Sequence, residues 1–175
     1  MFILNSLVVV FSLTFCSLLS LWRLPGTELL GVTPYWLLIW LIAWSIRRSV
    51  WEGAVAGLAV GWIFDSLTVG EPSHGFSFVV VGVLTASLDR DKYLEENLAS
   101  IALVAFVMTA IAQTLFALQL VLLQIRPIEE LLQEYLRIAI ASAVITSLWS
   151  PAIYLPLSRW WQFVARVAHR RSRSF

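Results

Sequence analysis

Hydrophobic positions in this chain neither alternate with polar ones nor fall on one helical stripe; they run together in long blocks. Charged side chains are missing from Met1 to Trp22, Leu29 to Ile46, Gly53 to Phe64, Pro72 to Leu88, Asn97 to Ile125 and Ile138 to Ser158. Blocks of this kind predict helices that sit in lipid, because hydrocarbon offers no water to satisfy a backbone and about 20 helical residues cross it. A barrel is excluded by runs such as Val8, Val9, Val10, Phe11 and Leu115, Phe116, Ala117, Leu118, which lack the alternation of a barrel strand. The third and fourth blocks are short and meet at Gly70, Glu71, Pro72, Ser73, His74 and Gly75, all strong turn formers. They predict a hairpin, spanning or re-entrant, and either form leaves both chain termini on one side.

Composition supports the same class. The chain has 175 residues, 59% hydrophobic and 13% charged, too few polar side chains to clothe a water-soluble surface. The expected fold is an all-α membrane protein of about six transmembrane helices in one bundle over residues 1–158, with a basic amphipathic tail at 159–175. The first block lacks a basic leader and an Ala-x-Ala site, so it reads as a retained helix. Cys16, the sole cysteine, reads as an apolar packing residue and provides no disulfide or metal cluster.

Charge sets the expected orientation. Six crossings put Arg47, Arg48, Arg90, Lys92, Arg159, Arg166, Arg170, Arg171 and Arg173 on one side, and only Arg23, Arg126 and Arg137 on the other. That asymmetry places both termini in the cytoplasm. Trp22, Trp36, Trp51, Trp149, Trp160 and Trp161 fall near helix ends, at headgroup level, whereas Trp40, Trp44 and Trp62 fall deeper and are expected to pack.

Chemistry is sparse. Gly53, Gly57, Gly61 and Asp65 are spaced by four and share a helical sector of roughly 120°. Glycines in that pattern form a groove for another backbone, either within the bundle or on a partner's helix. Asp65 extends the groove, either as a coupling or ion-binding carboxylate or as an acceptor for backbone N–H groups at the turn. Ser73, His74 and Ser77 lie near Asp65, yet no nucleophile elbow accompanies them, since Gly75, Phe76, Ser77, Phe78, Val79 miss the last glycine of G-x-S-x-G. There is no H-E-x-x-H, and Lys92, the only lysine, belongs to no Walker loop. No catalytic set, metal site or cofactor is expected. An intramembrane enzyme would need polar pairs at depth, and Asp65, Gln113, Gln119, Ser142 and Thr146 form no recognisable device.

In the tail, Arg159, Arg166, Arg170 and Arg173 share one face opposite Trp161, Val164 and Ala168, an interfacial helix that holds lipid or docks a cytoplasmic partner. Pro151 and Pro156 predict a bend in the last helix. The loop Asp89, Arg90, Asp91, Lys92, Glu95, Glu96 nearly neutralises itself, and Glu129, Glu130 and Glu134 read as an acidic patch in a loop beside Arg126. Nucleic-acid binding is not expected, because the basic residues have no aromatic platform behind them.

Pro34, Tyr35, Trp36, Leu37, Leu38, then the run from Gly57 to Asp65, then Gly70 and Gly75, resemble the rod shape-determining protein MreD family. The resemblance is specific over the first half of the chain and rests on length and hydropathy in the second. It implies a bundle similar to the substrate-binding subunit of energy-coupling-factor vitamin transporters, in a bacterial inner membrane. It also implies a non-enzymatic scaffold that binds the single-pass protein MreC, alongside RodA, a class B transpeptidase and MreB filaments; a second copy of the chain is a further candidate partner. The competing expectation is a transporter subunit that holds a vitamin-like small molecule.

Overall fold

The computed structural model describes residues 2–22, 26–29, 31–46, 48–68, 72–88, 98–124 and 128–172, without the side chains of 2–5, 128–134 and 165–172. Arg23, Arg47, Gly70, Glu71, the 89–96 loop, Arg126 and Arg173 lie outside the described residues, as do the side chains of Glu129, Glu130, Glu134, Arg166, Arg170 and Arg171.

Among the described residues the chain is all-helical: α1 (Phe2–Leu21), α2 (Trp36–Ser45), α3 (Val50–Leu67), α4 (Gly75–Ser87), α5 (Leu98–Leu122) and α6 (Ile128–Ser172). Three helical stretches are long and apolar enough to cross a membrane: Val50–Leu67, Leu98–Leu122 and Tyr135–Val164. The third block is therefore longer than its charge-free run, because α3 begins at Val50 and takes Glu52 into its first turn. A capping box explains that start: Ser49 accepts from the Glu52 N–H, and the Glu52 carboxylate accepts from the Ser49 N–H at 2.9 Å.

The short members are α2 and α4, at 10 and 13 residues. At 1.5 Å per residue they reach about 15 and 20 Å, well under a bilayer core. In α2 every residue except Trp44 is buried. The helix touches all five others, which is why its sequence is apolar on every side. Trp40 Nε1 donates to Ser12 Oγ at 2.9 Å, giving the buried indole an acceptor on α1. The chain reaches α2 through a tight turn at Gly31 (φ 79°), where Leu29 and Val32 exchange backbone hydrogen bonds.

The glycines of α3 face α4, which runs antiparallel to it. A Cβ on Gly53 would meet the Gly82 carbonyl at 2.5 Å, one on Gly57 would strike the Phe78 carbonyl, and one on Gly61 would meet the Gly75 Cα at 2.5 Å. At Gly82 the clash is reciprocal, onto the Gly53 carbonyl. The close-packing partner of this stripe is thus α4 of the same chain. That leaves no open glycine groove for a second protein's helix.

Two tryptophans depart from expectation. Trp36 is buried and packs edge-on to Trp149 at 5.5 Å, whereas Trp62 is 63% exposed because it lies off the glycine face of α3. Trp22 and Trp51 are exposed as well.

The last helix runs unbroken from Ile128 through both prolines and past residue 158, so the acidic residues near its start belong to a helix rather than a loop, and no break separates a tail. Pro151 deprives the Ser147 carbonyl of its usual donor. The Ser150 hydroxyl replaces it, donating to that carbonyl at 2.8 Å. Tyr35 N–H donates to Thr146 Oγ1 at 3.1 Å, and the Trp36–Trp149 pair lies one turn further along α6, so the start of α2 is held against the middle of α6.

Gly57→Ala should lower unfolding stability by about 1–3 kcal/mol, because the new methyl meets rigid backbone. Ala59→Leu, at an exposed position of the same helix, should change it by less than about 0.5 kcal/mol. Denaturation in micelles followed by far-UV circular dichroism measures both.

Candidate functional site

The richest polar chemistry lies at the bundle end that carries the α3–α4 turn. Asp65 stands one helical step beyond Gly61, so the close approach of α4 brings the start of that helix to its carboxylate. It accepts from Ser73 Oγ at 2.6 Å, from the His74 N–H at 2.9 and 3.1 Å, and from His74 Nδ1 at 2.8 Å. Ser73 Oγ in turn accepts from the Gly75 N–H at 3.1 Å. The His74 N–H, just before α4, is satisfied by a carboxylate delivered from α3 and the Gly75 N–H by the Ser73 hydroxyl, and the negative charge suits the positive end of the helix dipole.

Asp65 therefore occupies the acceptor role at the turn that its position allowed. Gly75 is buried at the first position of α4, and Pro34 is buried two residues before α2.

His74 is held on its other faces by rings. It stacks on Phe116 of α5 at 4.0 Å with planes 13° apart, and meets Phe64 edge-on at 4.7 Å. Burial holds its imidazole below the ordinary range, against the upward pull of Asp65. Ser73 and His74 both bind the same carboxylate, so the histidine does not stand between a serine and the aspartate as an acyl-transfer relay requires. Ser77 is engaged elsewhere: its hydroxyl accepts from Gln119 Nε2 at 3.1 Å.

No protein family, characterised protein or solved structure matches this chain.

A second polar group reaches the same level from α5 and α6. The Tyr135 hydroxyl donates to the Gln113 side-chain oxygen, with the Gln113 carbonyl also at 2.9 Å, and Gln113 lies in turn against the Tyr35 hydroxyl. Tyr35 is stacked on Phe64 at 5.4 Å. Between these residues lies a cavity of about 10 Å³, lined by Tyr35, His74, Thr109 and Gln113 with Leu38, Phe78, Ala112 and Phe116.

Sequence reasoning does not single out Thr109 or Tyr135, and it names Tyr35 only within the Pro34 to Leu38 run. Tyr135 finds its partner 22 residues away, so no local spacing announces it. Gln113 had been noted only as a polar residue at depth. Among the described side chains there is no cluster of three metal-ligating groups. Of the five tail arginines, Arg159 is the one whose side chain is described, and it is exposed.

Asp65→Ala should destabilise the hairpin by about 1.5–3 kcal/mol, because three donors lose a charged acceptor, and Asp65→Asn should cost less, since one oxygen remains. Tyr135→Phe should cost about 0.5–1.5 kcal/mol by releasing Gln113. Thermal unfolding of the purified variants reads all three.

Proposed function

We propose that this protein is a non-enzymatic scaffold of the bacterial inner membrane, of the MreD kind, which binds a single-pass MreC-like partner and supports lateral peptidoglycan synthesis by the elongation machinery. The observation that carries this reading is that the residues bearing the resemblance are also the ones that build the bundle. Pro34 and Trp36 lead into the central helix, Gly57 and Gly61 seat α4, and Asp65 accepts from the His74 N–H just before Gly75. A sequence pattern concentrated on one structural unit is what a shared fold would retain.

In this reading six helices cross the membrane, both termini are cytoplasmic, and the fold is similar to the vitamin-binding subunit of energy-coupling-factor transporters. The positive side then carries the exposed Arg159, and Arg48, which lies 3.7 Å from Glu52 and over the Trp44 ring.

Because α4 fills the glycine stripe, a partner helix docks on the outward surfaces. Those surfaces are apolar, with Leu7, Val10, Phe11 and Leu18 exposed on α1, and Val55, Leu58 and Trp62 on α3. Contacts there must come from van der Waals fit, since lipid competes equally for apolar area.

Affinity capture at native expression should bring down a single-pass membrane protein with a periplasmic domain, and depletion should turn rod-shaped cells round. A stoichiometric small molecule retained through purification, with no protein partner and unaltered shape, would instead assign the chain to ligand transport.

A further inference from the structure

We propose that the α3–α4 side of the bundle is a lipid-facing surface that thins the bilayer. Phospholipid covering it is drawn to a hydrocarbon depth of about 20 Å, while lipid on α5 keeps its ordinary depth. This rests on the reading that α3 and α4 cross the membrane, and on nothing about partners.

The outward face of α3 marks its own apolar depth. Between the exposed Glu52 and the exposed Ser66, the residues that face outward are Val55, Leu58, Ala59 and Trp62. Glu52 is tied to Ser49 by the capping box and lies 3.7 Å from Arg48, so a charged pair marks one edge. The other edge carries Ser66 beside the Asp65 cluster with Ser73 and His74. Fourteen residues separate Glu52 from Ser66, a rise of about 21 Å, some 9 Å short of an ordinary hydrocarbon core.

Tryptophan gives the same measure. Trp51 and Trp62 are 77% and 63% exposed on this face, and neither indole N–H has a hydrogen-bond partner among the described residues. Their rise is about 16 Å, so a bilayer of full depth would bury at least one of them in hydrocarbon with its donor unmet.

The neighbouring helix agrees. On α4 the outward residues Phe76 and Leu84 lie between the exposed Ser73 and Ser87, and the helix has 13 residues, about 20 Å. Tilting would only shorten the vertical reach of either helix. Snorkelling is closed to the serines and to Glu52, which its cap holds in place. Thinning is the accommodation that remains to a chain on its own.

The shortfall is confined to one sector. On α5 exposed apolar residues extend from Leu98 to Leu122 with no charged side chain between them, about 36 Å. That helix packs on α2, α4 and α6, whereas α3 packs on α1, α2 and α4, so the two face lipid in different directions.

The test is a depth scan of the full-length chain, free of partners, in dioleoylphosphatidylcholine vesicles. Trp51→Cys, Ala59→Cys and Ser66→Cys on α3, and Val107→Cys and Thr114→Cys on α5, each carry a nitroxide; Cys16 is buried, and the unsubstituted chain is the blank. Collision with oxygen and with a water-soluble nickel chelate gives depth by electron paramagnetic resonance. The labels at Trp51→Cys and Ser66→Cys should sit at headgroup level, and the one at Ala59→Cys about 5 Å shallower than the deeper α5 label. That offset should shrink in dimyristoleoyl and widen in dierucoyl phosphatidylcholine. Either end label buried in hydrocarbon, an Ala59→Cys label as deep as that of α5, or an offset indifferent to chain length overturns the proposal. So does an oligomer that shields Ala59→Cys from both reagents, which would assign the face to a second copy. A membrane-impermeant thiol reagent separates thinning from topology. Trp51→Cys and Ser66→Cys reached from the same side would end the crossing itself, whereas opposite sides with equal depths on α3 and α5 would remove thinning alone.

Discussion

The contact between the backbones of α3 and α4 sets the geometry on which the rest of the bundle depends. Gly53 and Gly82 each occupy the space where the other would carry a side chain, and Gly57 and Gly61 continue the seam toward the turn. In lipid the hydrophobic effect does not hold helices together, so removing side chains along a seam is an effective way to gain dispersion contacts. The seam also explains the polar end of the molecule. Asp65 continues the four-residue spacing of the glycines, so the packing that seats α4 also brings the His74 N–H, at the head of that helix, to a carboxylate. One helical period thus serves both contact and capping.

A second consequence concerns what surrounds α2. Its ten residues are apolar on nearly all sides because every side meets another helix. Some polar groups along this core are matched, Trp40 with Ser12, Tyr35 N–H with Thr146, and the carbonyl freed by Pro151 with Ser150, whereas Trp44 Nε1 and Ser45 Oγ of α2 are buried without a hydrogen-bond partner among the described residues. Each match removes a cost that, in a medium without water, would fall in full on the folded state.

What the sequence made legible was whatever repeats locally. The helical class followed from the length of the charge-free blocks, the glycine seam from spacing by four, and the capping role of Asp65 was one of two readings open to a carboxylate beside a turn. Helix burial was hidden, because lipid and protein interior demand the same apolar residues; the burial of α2 on nearly every side and the exposure of Trp62 have no separate signal in the sequence. The length of α3 was masked by Glu52, a charged residue that belongs to a capping box rather than a boundary. The Tyr135, Gln113 and Tyr35 chain joins positions 22 and 78 residues apart, beyond any local pattern. The passage of α6 through two prolines depends in part on a serine whose role is visible only once the carbonyl it serves is known.

The brevity of α2 bears on how the protein is made. A segment of ten residues is too short to partition into a bilayer by its own hydrophobicity, and its best environment is the surface of other helices. During synthesis it must wait for company: α1 precedes it and offers Ser12 to Trp40, but the flanks supplied by α3 and α6 emerge from the ribosome later. Biogenesis of this chain is accordingly a cooperative event, in which the middle of the bundle is the last part to find its permanent neighbours.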